Sequence, residues 1–387
     1  MATPSIPRDK LDSRHHTQAH LNFRKSTLKT FTASAMMFLA AGCSVDNQQH
    51  EQNARVFEAW DVINQPSRFG RQYELRLKRL PESGRLSQIP WSDSYWPTQK
   101  AGIAFRWLNP VGSPFSYTSP SRMKLRTMSQ QEISKLSPAE KLDIYNDRFD
   151  YPTVLSERKR TYPGAAAWEG LCHGWAPASL EFSEPKPVNL KGTNGFSIPF
   201  GSSDVKALLT WHMATKNTVA AIGLGARCSI FGNIGLNTPS CRDANAGAFH
   251  IVLANQIGIL KEGFIADVAR MGEVWNQPVY KFESRQLSRR GPSPGAAPGT
   301  YEEVVMETMM DYSIEIQPQW DPLGQLAERP MTRSVLYRYR LELNRDGEIL
   351  GGIWLQDDRP DFIWLQRRGP FFGTDASIQK IYEASVR

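Results

Sequence analysis

The most restrictive feature of the sequence lies near its end. In SVLYRYRLELNRDGEILGGIWL (334–355), Val335, Tyr337, Tyr339, Leu341 and Leu343 recur at every second position, and Asp346-Gly347 follows where a reversal is needed. A period of two places those five side chains on one face of a strand, and an Asp-Gly pair suits the positive φ of a tight hairpin turn. The end of the chain is thereby committed to an antiparallel sheet with one packed face. Two further runs, AFHIVLANQIG and EGFIADVA, are short and rich in β-formers, and they predict a second hairpin between Gly247 and Ala269.

Helical signals come earlier. In KLSPAEKLDIYNDRF, Ser137 at the cap, Pro138 at the first helical position and Glu140 three residues after the cap form a capping box, with Leu142 and Tyr145 facing inward. GSSDVKALLTWHMAT predicts a second helix capped by Ser202 or Ser203, with Val205, Leu208, Leu209 and His212 on one face. Helices followed by antiparallel strands define an α+β pattern, not a doubly wound one. The Pro/Gly segment 289–300 is a loop.

The N-terminus is an address. Arg24, Lys25 and Lys29 precede an apolar run from Phe31 to Ala41, and Ala40, Ala41 and Gly42 stand before Cys43. Residues 1–42 fit a secretory signal peptide, since the run is too short to stay as a membrane span, and the small residues resemble a lipobox that would lipidate Cys43. The expected location is outside the cytoplasm, as a surface lipoprotein or a secreted protein. The leader holds six Lys or Arg against two Asp, so the formal charge of +7 falls by 4 to +3 on its removal. The basic excess is therefore no argument for nucleic acid. Residues 43–130 read as an irregular region packed on or covering the core, and 131–387 as the catalytic domain.

Four cysteines then sort themselves. Cys228 and Cys241 close CSIFGNIGLNTPSC, a loop that a disulfide would stabilise by about 3 kcal/mol in the chain-entropy model. Cys172, in EGLCHGWAPASL, is left without a partner. It is a nucleophile, a metal ligand or a buried spectator; zinc is disfavoured, because no C-x2-4-C or H-x3-5-H spacing exists. Among the histidines, His173 would point about 100° from Cys172 on a helix, and His212 fits a core position. His250, expected on a strand facing a helix N-terminus, is the candidate base. Asp267, on the next strand, is the candidate orienting group, with Asp243 and Asn276 as rivals. A thiol at a helix start facing His250 is expected to have a lowered pKa and to find one arm of an oxyanion hole in the backbone N–H groups.

A resemblance adds to these residues. Val274-Trp275-Asn276-Gln277-Pro278-Val279, with Phe282 after it, resembles the core of the elicitor peptide of the oomycete cell-wall transglutaminases. CHGWAPA (172–178) resembles the active-site segment of that family, and CRDANAGAFHIVLANQIG (241–258) its histidine segment. After Val279 the chain reads Tyr280-Lys281 and Glu283-Ser284, departing from the peptide. The resemblance implies a papain-like or transglutaminase-like cysteine acyltransferase core, with Cys172, His250 and Asp267 transferring the γ-acyl group of protein glutamine to lysine or small amines. It also implies Ca²⁺ in some relatives, for which Asp243 and Asn245 are the available oxygen ligands; no other cofactor is required by the sequence. A peptidase or amidase using the same residues, or a non-catalytic surface lipoprotein, is the alternative. Trp175, Trp275 and Asn276 are expected to support the site or touch substrate, with a membrane met only through the lipid anchor.

Overall fold

The computed structural model describes residues 58–227, 243–268, 272–323 and 331–387. The signal peptide, the lipidation of Cys43 and the Cys228–Cys241 pairing therefore lie outside the described residues. Those residues fall in one compact unit, and no helix among them is long and apolar enough to cross a membrane.

The helices are α1 (Arg122–Thr127), α2 (Gln130–Ser134), α3 (Pro138–Tyr145), α4 (Pro152–Arg160), α5 (Cys172–Glu181), α6 (Ser202–Thr215), α7 (Ala246–Leu253) and α8 (Ala376–Ser385). The strands are β1 (Ser83–Arg85), β2 (Val188–Lys191), β3 (Ser197–Phe200), β4 (Ile222–Gly225), β5 (Phe264–Asp267), β6 (Asn276–Arg290), β7 (Glu302–Ser313), β8 (Thr332–Leu343), β9 (Ile349–Trp354) and β10 (Phe362–Leu365). The main sheet runs β4-β10-β5-β6-β7-β8-β9, with β1 added against β6, and every pairing is antiparallel. The mixed α and antiparallel β composition is as expected, but the order is interleaved: β1 precedes the helices, β2 to β4 lie among them, and α8 ends the chain.

The hairpin at the end of the chain forms as its alternation dictates. Tyr337, Tyr339, Leu341 and Leu343 are buried, and Gly347 takes φ +77° in the turn. Asn344 completes the turn by accepting the N–H groups of Asp346 and Glu348 on Oδ1. The capping box of α3 is also present, with Ser137 Oγ accepting from Glu140 N at 3.2 Å and Glu140 Oε2 accepting from Ser137 N at 3.0 Å. Helix α6 starts one residue earlier than its serines suggest: Gly201 is the cap, and Asp204 Oδ2 accepts its N–H at 2.7 Å. The Pro/Gly loop begins after Arg290, because Arg289 and Arg290 continue β6.

The predicted hairpin between Gly247 and Ala269 is not there. AFHIVLANQIG is helix α7, continued as a π-helical segment, Ala254–Leu260, and only the following FIAD forms a strand. An eleven-residue apolar run satisfies a buried helix as well as a strand. Asn245 decides for the helix: its Oδ1 accepts the N–H groups of Gly247 (2.9 Å) and Ala248 (3.3 Å), filling the cap position. Its Nδ2 donates to the carbonyls of Glu58 and Gly352, both at 3.1 Å. Helix α7 lies so close to β9 that a Cβ on Gly247 would stand 2.3 Å from the Gly351 oxygen.

The strand alternation at β5 separates two cores. Phe264 and Ala266 join α7 and the inner faces of β7 and β8, whereas Ile265, between them, joins α5, α6 and α3. Helices α5 and α7 thus lie on opposite faces of the sheet. The irregular segment before α1 contributes to both cores: Trp91, Trp96 and Ile103 are buried among the residues of α5 and α6, and Phe69 and Leu80 among those of α7. Trp107 Nε1 donates to Asp204 Oδ1 at 2.9 Å, and Lys141 forms a fully buried ion pair with the other Asp204 oxygen at 2.6 Å.

Replacing Asn245 removes two cap bonds and two donor bonds at once. The expected outcome for Asn245→Ala is a loss of about 2 kcal/mol or more in urea unfolding, with Asn245→Asp, which keeps the accepting oxygen, less affected.

Candidate active site around Cys172

Cys172 is the first residue of α5, following Leu171 at the cap position. The cap is held from outside the helix, since Leu171 N donates to the Tyr95 carbonyl at 2.5 Å. The carbonyl of Leu171 accepts from Gly174 N and Trp175 N, and the N–H groups of Cys172 and His173 are the ones a helix start leaves without a preceding acceptor. A Cβ on Gly174 would lie 2.2 Å from the Thr210 oxygen, so only glycine lets α5 rest this closely on α6. Trp175 is fully buried and donates its indole N–H to the Trp91 carbonyl at 3.2 Å. It anchors the helix and is out of reach of any substrate.

The thiol meets the segment Val274–Gln277. Asn276 Nδ2 lies 3.3 Å from Cys172 Sγ, and the sulfur is 3.8 Å from the Val274 carbonyl. Asn276 is fixed in turn by Trp364, whose Nε1 donates to Oδ1 at 2.8 Å. The register Asp267↔Asn276 sets Asp267 beside it on the same face. Asp267 Oδ1 accepts from Trp275 N at 3.2 Å, while Oδ2 is buried with no hydrogen-bond partner. Burial, with the Asp361 charge adding to it, pushes the Asp267 carboxyl up to about 8 against the Trp275 N–H and the Arg227 charge. Trp275 packs edge-on against Tyr95 at 5.4 Å and donates its indole N–H to Glu273 at 3.0 Å. Gln277 Nε2 binds both oxygens of Glu315, at 3.2 and 3.0 Å.

The expected triad is not assembled. His250 lies on α7, across the sheet from α5, where its Nδ1 meets the Tyr339 hydroxyl at 2.7 Å. That hydroxyl continues to Thr308 at 2.6 Å and from there to Ser284 at 2.8 Å. Ser284 stands eight residues beyond Asn276 along β6, on the order of 26 Å at about 3.3 Å per residue. Among the described residues, no hydrogen bond or ion pair joins His250 to Cys172 or Asp267. Burial holds its imidazole down at about 4, so it is neutral. His250 misses the thiol because the helix that carries it replaces the strand expected there. His173 is exposed next to the thiol, and His212 is a core residue, stacked on Phe371 at 4.0 Å with Nδ1 3.3 Å from Asp375.

The thiol's own titration also differs from expectation. Cys172 is only 5% exposed, and burial raises its pKa against the lowering effect of the Asn276 amide and of the Asn276 and His173 backbone N–H groups. The helix start does not outweigh desolvation here. Of the oxygens expected as Ca²⁺ ligands, Asn245 Oδ1 accepts two N–H groups of the α7 cap, and Asp243 Oδ2 accepts from Arg359 at 2.5 Å. A cleft of about 200 Å³ lined by Leu86, Leu180, Lys261 and Arg367 opens at the other end of α5, about 14 Å from the thiol at 1.5 Å per residue. It is remote from this chemistry.

The family model described as transglutaminase elicitor matches residues 61–304, well over half of the chain, and the protein belongs to that family. The match takes in the irregular region before α1 as well as Cys172, Asp267 and Val274–Val279. The fold is similar to that in the crystal structure of the GP42 transglutaminase from Phytophthora sojae, with a TM-score of 0.62 and 24% identity over 84% of this chain and 98% of that one. The mixed helical and antiparallel architecture is thus shared with a transglutaminase. No curated protein matches the sequence.

Asn276 was legible in the sequence as a rival orienting group; that its amide touches the sulfur follows only from the sheet register. Asn276→Ala removes a donor that lowers the thiol pKa, leaving less thiolate at neutral pH. Iodoacetamide alkylation of Cys172 in the folded protein is expected to slow roughly fivefold, the weight of about 1 kcal/mol. His250→Gln, across the sheet, is expected to leave that rate unchanged.

Proposed function

We propose that the protein is a protein-glutamine γ-glutamyltransferase whose nucleophile is Cys172. The observation that carries this reading is the contact between Cys172 Sγ, at the start of α5, and the Asn276 amide inside the motif Val274–Val279. A helix-borne thiol against an antiparallel sheet also suits the papain-like core implied by the resemblance.

In this reading Asp267 takes the place given to His250. It is the cross-strand neighbour of Asn276, with Cβ atoms about 5 Å apart in such pairs, and its Oδ2 is an acceptor in need of a donor. The Cys172 proton passes to the Asp267 carboxylate as Sγ attacks the γ-carboxamide carbon of a protein glutamine. The tetrahedral oxyanion is stabilised by the backbone N–H groups at the start of α5. Asp267 returns the proton to the departing nitrogen, ammonia leaves, and a thioester remains on Cys172. A lysine or small amine then attacks the thioester and loses a proton to Asp267, which passes it to the departing thiolate. Each cycle exchanges one amide nitrogen for another and restores thiol and carboxylate. Asn276 holds the sulfur, and Trp364 holds Asn276.

The test is incorporation of a fluorescent primary amine into casein, followed together with ammonia release. Cys172→Ala is expected to abolish both; full activity in that variant would end the reading, and ammonia release without amine incorporation would make the protein an amidase. A base that must be ionised, with its pKa at about 8, makes the rate rise with pH through that region. Asp267→Asn is expected to lose that limb and about 10² to 10⁴ in rate, the usual weight of a general base. A limb between pH 6 and 7 that survives in Asp267→Asn would point back to an imidazole.

A further inference from the structure

The reading above leaves a group beside the thiol without a task. Glu315 lies just beyond the end of β7, next to the start of β6, and both of its oxygens are held by Gln277 Nε2 at 3.2 and 3.0 Å. Gln277 is the chain neighbour of Asn276, the residue on the sulfur. At the other end of the same amide, Gln277 Oε1 is buried and has no hydrogen-bond partner. The pair therefore offers a carboxylate and an orphaned carbonyl oxygen, and its unmet demand is for N–H or O–H donors.

Tyr95, whose carbonyl holds the start of α5, packs against Trp275 at 5.4 Å, and Trp275 carries Glu273 on its indole nitrogen at 3.0 Å. Burial raises the Tyr95 phenol, and the charges of Glu315, Cys172 and Glu273 add to that rise. Arg333 is the cation whose charge reaches Glu315, and among the described residues no ion pair joins them. A carboxylate, a free carbonyl oxygen and aromatic rings together match a primary ammonium, which brings three donors and one positive charge.

We propose that Glu315, held by Gln277 two residues along the chain from Trp275, is the subsite that binds the ammonium group of the acceptor amine. The inference rests on the transferase reading and names the residue that selects the second substrate. The bound ammonium gives one proton to the Glu315 carboxylate, and the free amine attacks the Cys172 thioester. Its second proton passes by way of Asp267 to the departing thiolate, and Glu315 releases its proton to water. One C–N bond forms and one C–S bond breaks.

The experiment compares two acceptors with the full-length protein and a fixed glutamine donor: an alkyl diamine that is cationic at neutral pH, and hydroxylamine, which is uncharged there. Glu315→Gln keeps the shape and removes the charge. It is expected to raise KM for the diamine about tenfold or more and KM for hydroxylamine by less than about twofold, since only the charge-assisted contact is lost. Glu315→Asp is expected to fall between Gln and the wild type. An unchanged diamine KM in Glu315→Gln, or an equal rise for both acceptors, overturns the subsite and leaves the transferase reading standing. Absence of Cys172-dependent transfer to either acceptor in the wild type overturns both. Hydroxamate formation by the variant shows that it is folded.

Discussion

Pairing of β5 with β6 in the register Asp267↔Asn276 is the constraint on which the site depends. A strand gives alternate residues to opposite faces, so this one register sends Asp267 and Asn276 toward α5 and sends Phe264 and Ala266 toward α7. A slip by one residue would carry the Asn276 amide away from the sulfur and bury it against the α7 core. Trp364 guards the register from the far side of β5, because it pairs with Ile265 and closes its indole N–H on Asn276 Oδ1. The position of the thiol is fixed independently, by Tyr95 on Leu171 and by the close contact of Gly174 with α6. Two rigid bodies, helix and sheet, meet at one side-chain amide.

The motif Val274–Val279 can therefore be understood residue by residue. Val274 presents its carbonyl to the sulfur, Trp275 gives its backbone N–H to Asp267 and its ring to Tyr95, Asn276 holds the thiol, and Gln277 holds Glu315. Pro278 pairs with Ile265. Four consecutive residues thus carry distinct duties on both faces of a strand, which leaves little freedom for substitution. A purely structural account of the motif covers Pro278 but not its neighbours.

Local signals in the sequence were good guides to local structure. Ser137 and Glu140 closed their capping box, and Asp346-Gly347 turned the last hairpin, because each outcome depends on residues within one turn. Non-local outcomes were hidden. His250 sits in an apolar run that either helix or strand can bury, and the deciding residue, Asn245, has a side chain equally suited to a cap and to a cation. Once α7 is a helix on the far face, no spacing in the sequence can bring its imidazole to Cys172. The histidine earns its place in the Tyr339–Thr308–Ser284 chain instead, where a neutral ring is what burial demands.

A carboxyl in place of an imidazole changes how a thiol can be served. An exposed carboxylate is too weak a base for a thiol whose own pKa is raised, since the proton would have to climb several units. Burial narrows that gap from the carboxyl side, because desolvation disfavours the charged form and brings Asp267 up to about 8. The same desolvation raises the Cys172 thiol, and the Asn276 amide and the helix-start N–H groups draw it back. Proton transfer between the two is easiest when their affinities match, and the buried strand pair moves the carboxyl toward the thiol's range. In the proposed mechanism, low exposure does not make Cys172 a spectator, because burial on the same face of the sheet also lifts Asp267 toward the range a base for a thiol needs.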